Sequence, residues 1–198
     1  MSKTRIERDS MGDVELPLDA LYGAQTQRAV QNFARLGGPM PERFVRALLL
    51  QKCAAAQANV ALKLLRPEIG AAIADAANEL LADAKLMTHF PVDVYQTGSG
   101  TSSNMNANEV LATLASRQLK EKVSPNDHVN AGQSSNDAIP AALHIAASLT
   151  LARELLPALI ELVAKIQAKS KKVGHHVKTG RTHLMDAMPV TFAQVLGG

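Results

Sequence analysis

Tryptophan is absent from the 198 residues, and the other aromatics are two tyrosines and four phenylalanines. A chain so poor in stacking surfaces, with its lysines and arginines scattered, has little to offer a nucleic acid groove. Charge is nearly balanced: 21 basic against 18 acidic side chains give a net +3, which bears on solubility and weak polyanion attraction only. Cys53 is the single cysteine, so an intrachain disulfide and a cysteine-based metal site are both excluded. No run of apolar residues approaches the roughly 20 that a membrane span needs, and Met1-Ser2-Lys3-Thr4-Arg5 is followed by no apolar stretch of a secretory signal. The expectation is a reducing cytoplasm, without membrane or nucleic acid as partner. No Gly-Lys-Ser/Thr follows the glycines of the chain, which removes a P-loop.

Hydrophobic residues make up 46% of the chain, mostly Ala, Leu, Ile, Val and Met. This excess of small and aliphatic helix formers points to an all-α fold. Short strands are expected at Arg5–Asp9 and Val14–Leu18, around Met11-Gly12-Asp13. A helix begins at Pro41, with Phe44, Leu48, Ala55, Ala58, Leu62 and Leu65 on one face. Pro67 ends it and opens a second helix, reaching about Leu86, with Ile73, Ala77, Leu80 and Ala84 as its stripe. Residues 87–103 read as a loop, 104–120 as a helix capped by Ser102, Ser103 or Asn104, and 124–135 as a second polar loop. A long helix follows from about Asp137 to Val173. Leu155, Leu159, Leu162 and Ile166 share a face, and Pro157 predicts a kink. At about 1.5 Å per residue such a helix is about 50 Å long, and it wants partner helices. The last residues, Val190 to Gly198, carry no polar tail, and the expectation is the N-terminal portion of a longer protein.

Three polar segments stand out against these helices. In Gln96-Thr97-Gly98-Ser99-Gly100-Thr101-Ser102-Ser103-Asn104, hydroxyls and amides crowd before a helix start, an arrangement suited to a carboxylate and equally to a self-capped turn. Gly132-Gln133-Ser134-Ser135-Asn136-Asp137 does the same at the long helix, where Ser135 or Asn136 reads equally as an N-cap and Asp137 as a first-turn acid. The third is Thr179-Gly180-Arg181-Thr182-His183-Leu184-Met185-Asp186. His89, His128, His144, His175 and His176 read as structural or solvated. His183 differs by standing beside Arg181, Thr182 and Asp186 where the helical pattern has ended. Its imidazole is suited to proton exchange near neutral pH. Arg181 is suited to anchoring a carboxylate, or to pairing with Asp186.

Taken together, and with Arg5-Ile6-Glu7-Arg8-Asp9, Tyr22-Gly23-Ala24-Gln25-Thr26-Gln27-Arg28, Asn104-Met105-Asn106, Asn108-Glu109-Val110 and Pro125-Asn126-Asp127-His128-Val129-Asn130, these segments resemble the fumarase/aspartase superfamily, most closely its class II fumarases. The resemblance implies a mainly helical fold with minor short strands near the N-terminus. It places an N-terminal lyase domain at 1–136 and the start of a central helical bundle at 137–198, in a homotetramer. It implies reversible anti addition of water to fumarate, giving L-malate, as part of the tricarboxylic acid cycle and without cofactor or metal.

By the same resemblance, Ser99, Gly100, Thr101, Asn104, Ser134, Ser135, Asn136 and Thr182 bind the dicarboxylate, and His183 handles the proton of the water. The family's loop Gly-Ser-Ser-x-Met-Pro-x-Lys-x-Asn, with the serine that removes the C3 proton, does not occur in these 198 residues. Ser124, Pro125, Asn126 and Asp127 mark a candidate second dicarboxylate site, with Ser124 where relatives carry a histidine and Glu121 near a basic position. Aspartate ammonia-lyase is the alternative within the superfamily, and His183, where that branch typically has Gln, favours hydration. A non-catalytic helical piece that self-associates is the alternative outside it.

Overall fold

The computed structural model describes residues 3–9, 11–33 and 36–197. Met1 and Gly198, the outer ends of the two expected domains, lie outside the described residues. By packing the chain divides into two units, Met1–Ala147 and Ser148–Gly198. As expected, the described residues are mainly helical.

The first unit opens with a hairpin of β1 (Thr4–Asp9) and β2 (Gly12–Pro17), paired from Thr4 against Pro17 to Asp9 against Gly12. Period-2 alternation buries Val14 and Leu16. The Arg5 guanidinium donates to the carbonyls of Pro17, Leu18, Ala20 and Tyr22 and so fixes the path into α1 (Ala24–Asn32). Three helices then build the core: α2 (Glu42–Ala61), α3 (Pro67–Ala82) and α4 (Thr101–Leu119). Leu48, Leu49, Ile73, Leu80, Val110 and Leu111 are buried between them. The approach of α2 to α3 is close enough that a Cβ on Gly70 would stand 2.2 Å from Val60 Cγ2.

The buried carboxylate of Glu109 accepts from the N–H groups of Gly23, Gln25 and Thr26 and from the Thr26 hydroxyl, at 2.6–3.1 Å. It therefore satisfies the free amides at the start of α1, where the helix dipole also favours an anion.

Boundaries differ from the sequence expectation in instructive places. α3 stops at Ala82, and Leu86–His89 forms a separate 3-10 turn. α4 begins at Thr101 rather than Asn104, with Gly100 as its N-cap in place of Ser102, Ser103 or Asn104. Asn104, Asn106 and Asn108 thus lie inside a helix and are buried, so tertiary burial outweighs their weak helix propensity. Within 124–135 a π-helical turn forms at Pro125–Val129, and α5 (Ser135–Thr150) follows, with Pro140 inside it.

In the second unit a π-helical turn at Leu151–Leu155 leads into α6 (Leu156–Val173). The Leu156 N–H donates to the Leu151 carbonyl, five residues back. This widening stands just before Pro157, which has no N–H and whose ring crowds the carbonyl four residues earlier. The expected disturbance at Pro157 is therefore present as a widened turn. Leu155, Leu159, Leu162 and Ile166, the expected stripe, are all exposed, as are Ile160 and Val163. The helical run Ser135–Val173 is long and apolar enough to cross a membrane by length and composition, which corrects the expectation that no stretch reaches that length. The same composition suits a helix that packs among other helices.

Residues 177–191, which include the third polar segment, form a hairpin. β3 (Val177–Thr182) pairs with β4 (Met185–Thr191), with a register shift at Gly180/Arg181. A capping box between Thr191 and Gln194 starts α7 (Phe192–Leu196).

Candidate functional site

The turn ahead of α5 is organised by where its carbonyls go. Gln133 Nε2 donates to the carbonyl of Val129 at 2.9 Å and to that of Ala131 at 3.4 Å. Asn59 Nδ2 also takes the Ala131 carbonyl, and Asn130 Nδ2 takes that of Gln133. The Gln133 N–H donates to the Asn130 carbonyl, and the N–H groups of Asp137 and Ala138 donate to that of Ser134. Every one of these acceptors is thus occupied from within the protein. Ser134 is the N-cap, in place of the expected Ser135 or Asn136: its Oγ accepts from the Asn136 N–H at 3.2 Å. What the turn offers outward is the Ser135 amide, which has no intrahelical partner by position, and the Ser134, Ser135 and Asn136 side chains. A helix start with these carbonyls bonded and with hydroxyl and amide donors close by suits a carboxylate in chemical terms.

The first polar segment meets this turn. Gly100 takes φ +70°, and a Cβ there would stand 3.0 Å from Ile139 Cγ1 on α5. Both the left-handed backbone and the close approach therefore require glycine. The Ser99 and Thr101 hydroxyls share a hydrogen bond at 2.8 Å. Asn104 Nδ2 donates to Ser135 Oγ at 3.2 Å and to Asn130 Oδ1 at 3.1 Å, while Asn104 Oδ1 is buried without a partner among the described residues. With Asn104 donating to it, Ser135 Oγ serves as acceptor there, and its own O–H remains to donate elsewhere. The structure thus brings Gly100 and Asn104 to the segment that carries Ser134, Ser135 and Asn136.

Sequence reasoning missed Lys52. It lies fully buried on α2, and its Nζ donates to Asn130 Oδ1 at 3.0 Å and Gln133 Oε1 at 2.8 Å. No carboxylate pairs with it among the described residues, and burial alone pulls its pKa from 10.5 down to about 7. The available signal was positional: Val45, Leu48, Leu49, Lys52, Ala56 and Asn59 make one buried face of α2, whereas the expected stripe ran through Ala58 and Leu62, which are exposed.

At the candidate second site, Ser124 is engaged with its own turn. Its Oγ donates to Asp127 Oδ2 at 2.7 Å and accepts from the Asp127 N–H at 3.1 Å, and its N–H donates to His128 Nδ1. Asn126 and Asp127 are exposed. A cleft of about 500 Å³, lined by Glu7, Arg8, Asp9, Arg117 and Lys122 among others, reaches Pro125 but none of the other expected site residues. Its mixed charges single out no ligand. Among the described residues no group of His, Cys, Asp and Glu is arranged for a metal.

Thr182 and His183 belong to the second unit. Thr182 ends β3, and His183 and Leu184 form the two-residue turn into β4, at φ +52° and +62°. Such a turn favours Asn-Gly, because both positions need the left-handed region. A histidine and a leucine held there carry strain of the kind that gathers at functional sites. The His183 side chain is exposed at the tip. Arg181 Nε donates to Asp186 Oδ1 at 2.8 Å across the hairpin, so of its two open roles the ion pair is the one formed.

A lyase family matches residues 12–198, and the chain belongs to it. It is 65% identical over its whole length to fumarate hydratase class II 2 of Pseudomonas aeruginosa, covering 43% of that protein. It is 56% identical over 98% of its length to fumarate hydratase class II of Xylella fastidiosa, covering 41% of it. Among solved structures it superposes on class II fumarase from Schistosoma mansoni with TM-score 0.91 at 37% identity, covering 98% of this chain and 42% of that one. For a fumarate lyase:delta crystallin from Brucella melitensis the TM-score is 0.89 at 42% identity, covering 98% and 46%. The chain therefore spans less than half the length of these relatives.

Proposed function

We propose that the complete protein is a class II fumarate hydratase, adding water reversibly and anti to fumarate to give L-malate. The observation that carries this is the turn 129–136, where the carbonyls of Val129, Asn130, Ala131, Gln133 and Ser134 are bonded within the protein and Ser134, Ser135 and Asn136 bring hydroxyl and amide groups to a helix start. In this reading Ser99, Gly100, Thr101, Asn104, Ser134, Ser135, Asn136 and Thr182 bind the dicarboxylate. The reaction passes through a carbanion stabilised as an aci-carboxylate, which gathers negative charge, and fixed neutral donors stabilise that charge. His183 passes the proton of the water, and the base that takes the C3 proton comes from a segment outside these residues. Ser124, Pro125, Asn126 and Asp127 mark a second dicarboxylate position, and 1–136 forms an N-terminal lyase domain with the start of a central helical bundle at 137–198. The exposed stripe of α6 supports assembly as a homotetramer through helix packing. We place the protein in the cytoplasm, without membrane or nucleic acid as partner.

The test is an assay of the complete protein with L-malate, followed by fumarate absorbance, alongside L-aspartate, followed by ammonia release. Fumarate from malate is the expected result. Ammonia from aspartate with no absorbance change from malate would replace hydration with deamination.

A further inference from the structure

A buried ammonium needs a counter-charge or a full set of acceptors, because leaving water costs an ion several kcal/mol. Lys52 has two amide oxygens, Asn130 Oδ1 and Gln133 Oε1. The elements packed on α2 carry charged groups: Glu68, Asp75 and Glu79 on α3, Glu109 and Arg117 on α4, Asp127 and His128 at the π-helical turn. None of them contributes to the Lys52 shift, which burial alone produces. The partners of Lys52 are, however, the residues that shape the donor turn. Asn130 Oδ1 also accepts from Asn104, whose amide reaches Ser135 Oγ, and Gln133 holds the carbonyls of Val129 and Ala131. Two amide side chains stand between the ammonium and the Ser135 hydroxyl. In the same cluster Asn104 Oδ1 is buried and has no partner among the described residues.

We infer that Lys52 is a positioning residue for the dicarboxylate: the anion bound at Ser134–Asn136 is its missing counter-charge, and Lys52 acts on it through Asn130, Gln133 and Asn104. This rests on the reading of that turn as the dicarboxylate site. A single buried cation then does what a direct arginine contact would do elsewhere. It favours dianions at the turn, where Ser134, Ser135 and Asn136 themselves carry no charge. A positive charge several ångströms away in a medium of effective dielectric about 20 changes anion affinity by about tenfold or more.

The experiment uses the complete protein and the non-reacting dicarboxylate succinate. Lys52→Met keeps the side-chain volume and removes the charge. Succinate Kd and malate KM are expected to rise together by about tenfold or more, with kcat changing less. Gln133→Glu supplies Lys52 with an internal carboxylate where Gln133 Oε1 now sits at 2.8 Å. It also removes the Nε2 donor from the Val129 and Ala131 carbonyls, so it is expected to weaken succinate binding at least as much as Lys52→Met, with kcat again changing less than KM. If Lys52→Met does not fold, Gln133→Glu decides alone. Unchanged succinate Kd in a folded Lys52→Met or Gln133→Glu protein, with wild-type activity present, overturns this inference and leaves the hydratase reading standing. A wild type that neither binds succinate nor converts malate overturns both.

Discussion

Asn104 Nδ2 reaches Ser135 Oγ at 3.2 Å, so a residue in the buried interior of α4 is tied to the first residue of α5. The contact leaves the Ser135 hydroxyl proton for something outside the protein. Asn104→Leu fills the same space without the amide and frees Ser135 to turn inward. It is expected to weaken succinate binding by about tenfold, the worth of one or two hydrogen bonds to a charged group, measured by calorimetry on the complete protein.

Gly100 meets two demands at once, φ +70° and Ile139 Cγ1 at 3.0 Å from a built Cβ. Gly100→Ala is expected to cost about 2 kcal/mol or more, read as a fall in the denaturation midpoint. Adding Ile139→Val relieves the contact but not the backbone, so the double variant recovers only part of the loss.

The hairpin turn His183-Leu184 offers the opposite prediction. Leu184 is 98% exposed and holds φ +62°. Leu184→Gly removes strain of about 1 kcal/mol in this chain. The expected signature is greater amide hydrogen-exchange protection across β3 and β4. Unchanged or lower protection contradicts the strained turn.

Lys52 links stability to pH. Its pKa is about 7 in the folded protein and near 10.5 when solvated. Between those values the unfolded chain binds the extra proton, so folding stability rises with pH. The contribution is complete above about 10.5 and lost as pH falls to about 7. Against Lys52→Met, which does not titrate there, the wild type is expected to gain up to about 1 kcal/mol per pH unit in that window. Urea denaturation at several pH values measures the difference, and parallel curves contradict it.

Much of this architecture was legible in the residues, and what was not has physical reasons. Pro67 at the start of α3 and the alternation in β2 mark themselves. The hairpin at 177–191 does not, because its turn is His-Leu where the familiar signal is Asn-Gly. The start of α4 lies three residues ahead of the expected Asn104 because Thr101 to Ser103 read as loop and cap residues, and the burial of Ser102 and Ser103 in the finished core is not visible in the pattern. A search for apolar stripes passes over Lys52 and Asn59, although their spacing from Leu48, Leu49 and Ala56 puts them on the buried face. The polar segments at 99–104 and 134–136 were visible as chemistry. Which atoms face outward depends on carbonyl bonding that no residue pattern displays.

The most direct test of donors holding a diacid while one imidazole passes the proton is the steady-state kinetics of His183→Asn in the complete protein with L-malate. The account predicts a fall in kcat of about 100-fold or more, with succinate Kd within about threefold of wild type by the same division of roles. A His183→Asn enzyme with undiminished kcat would contradict it.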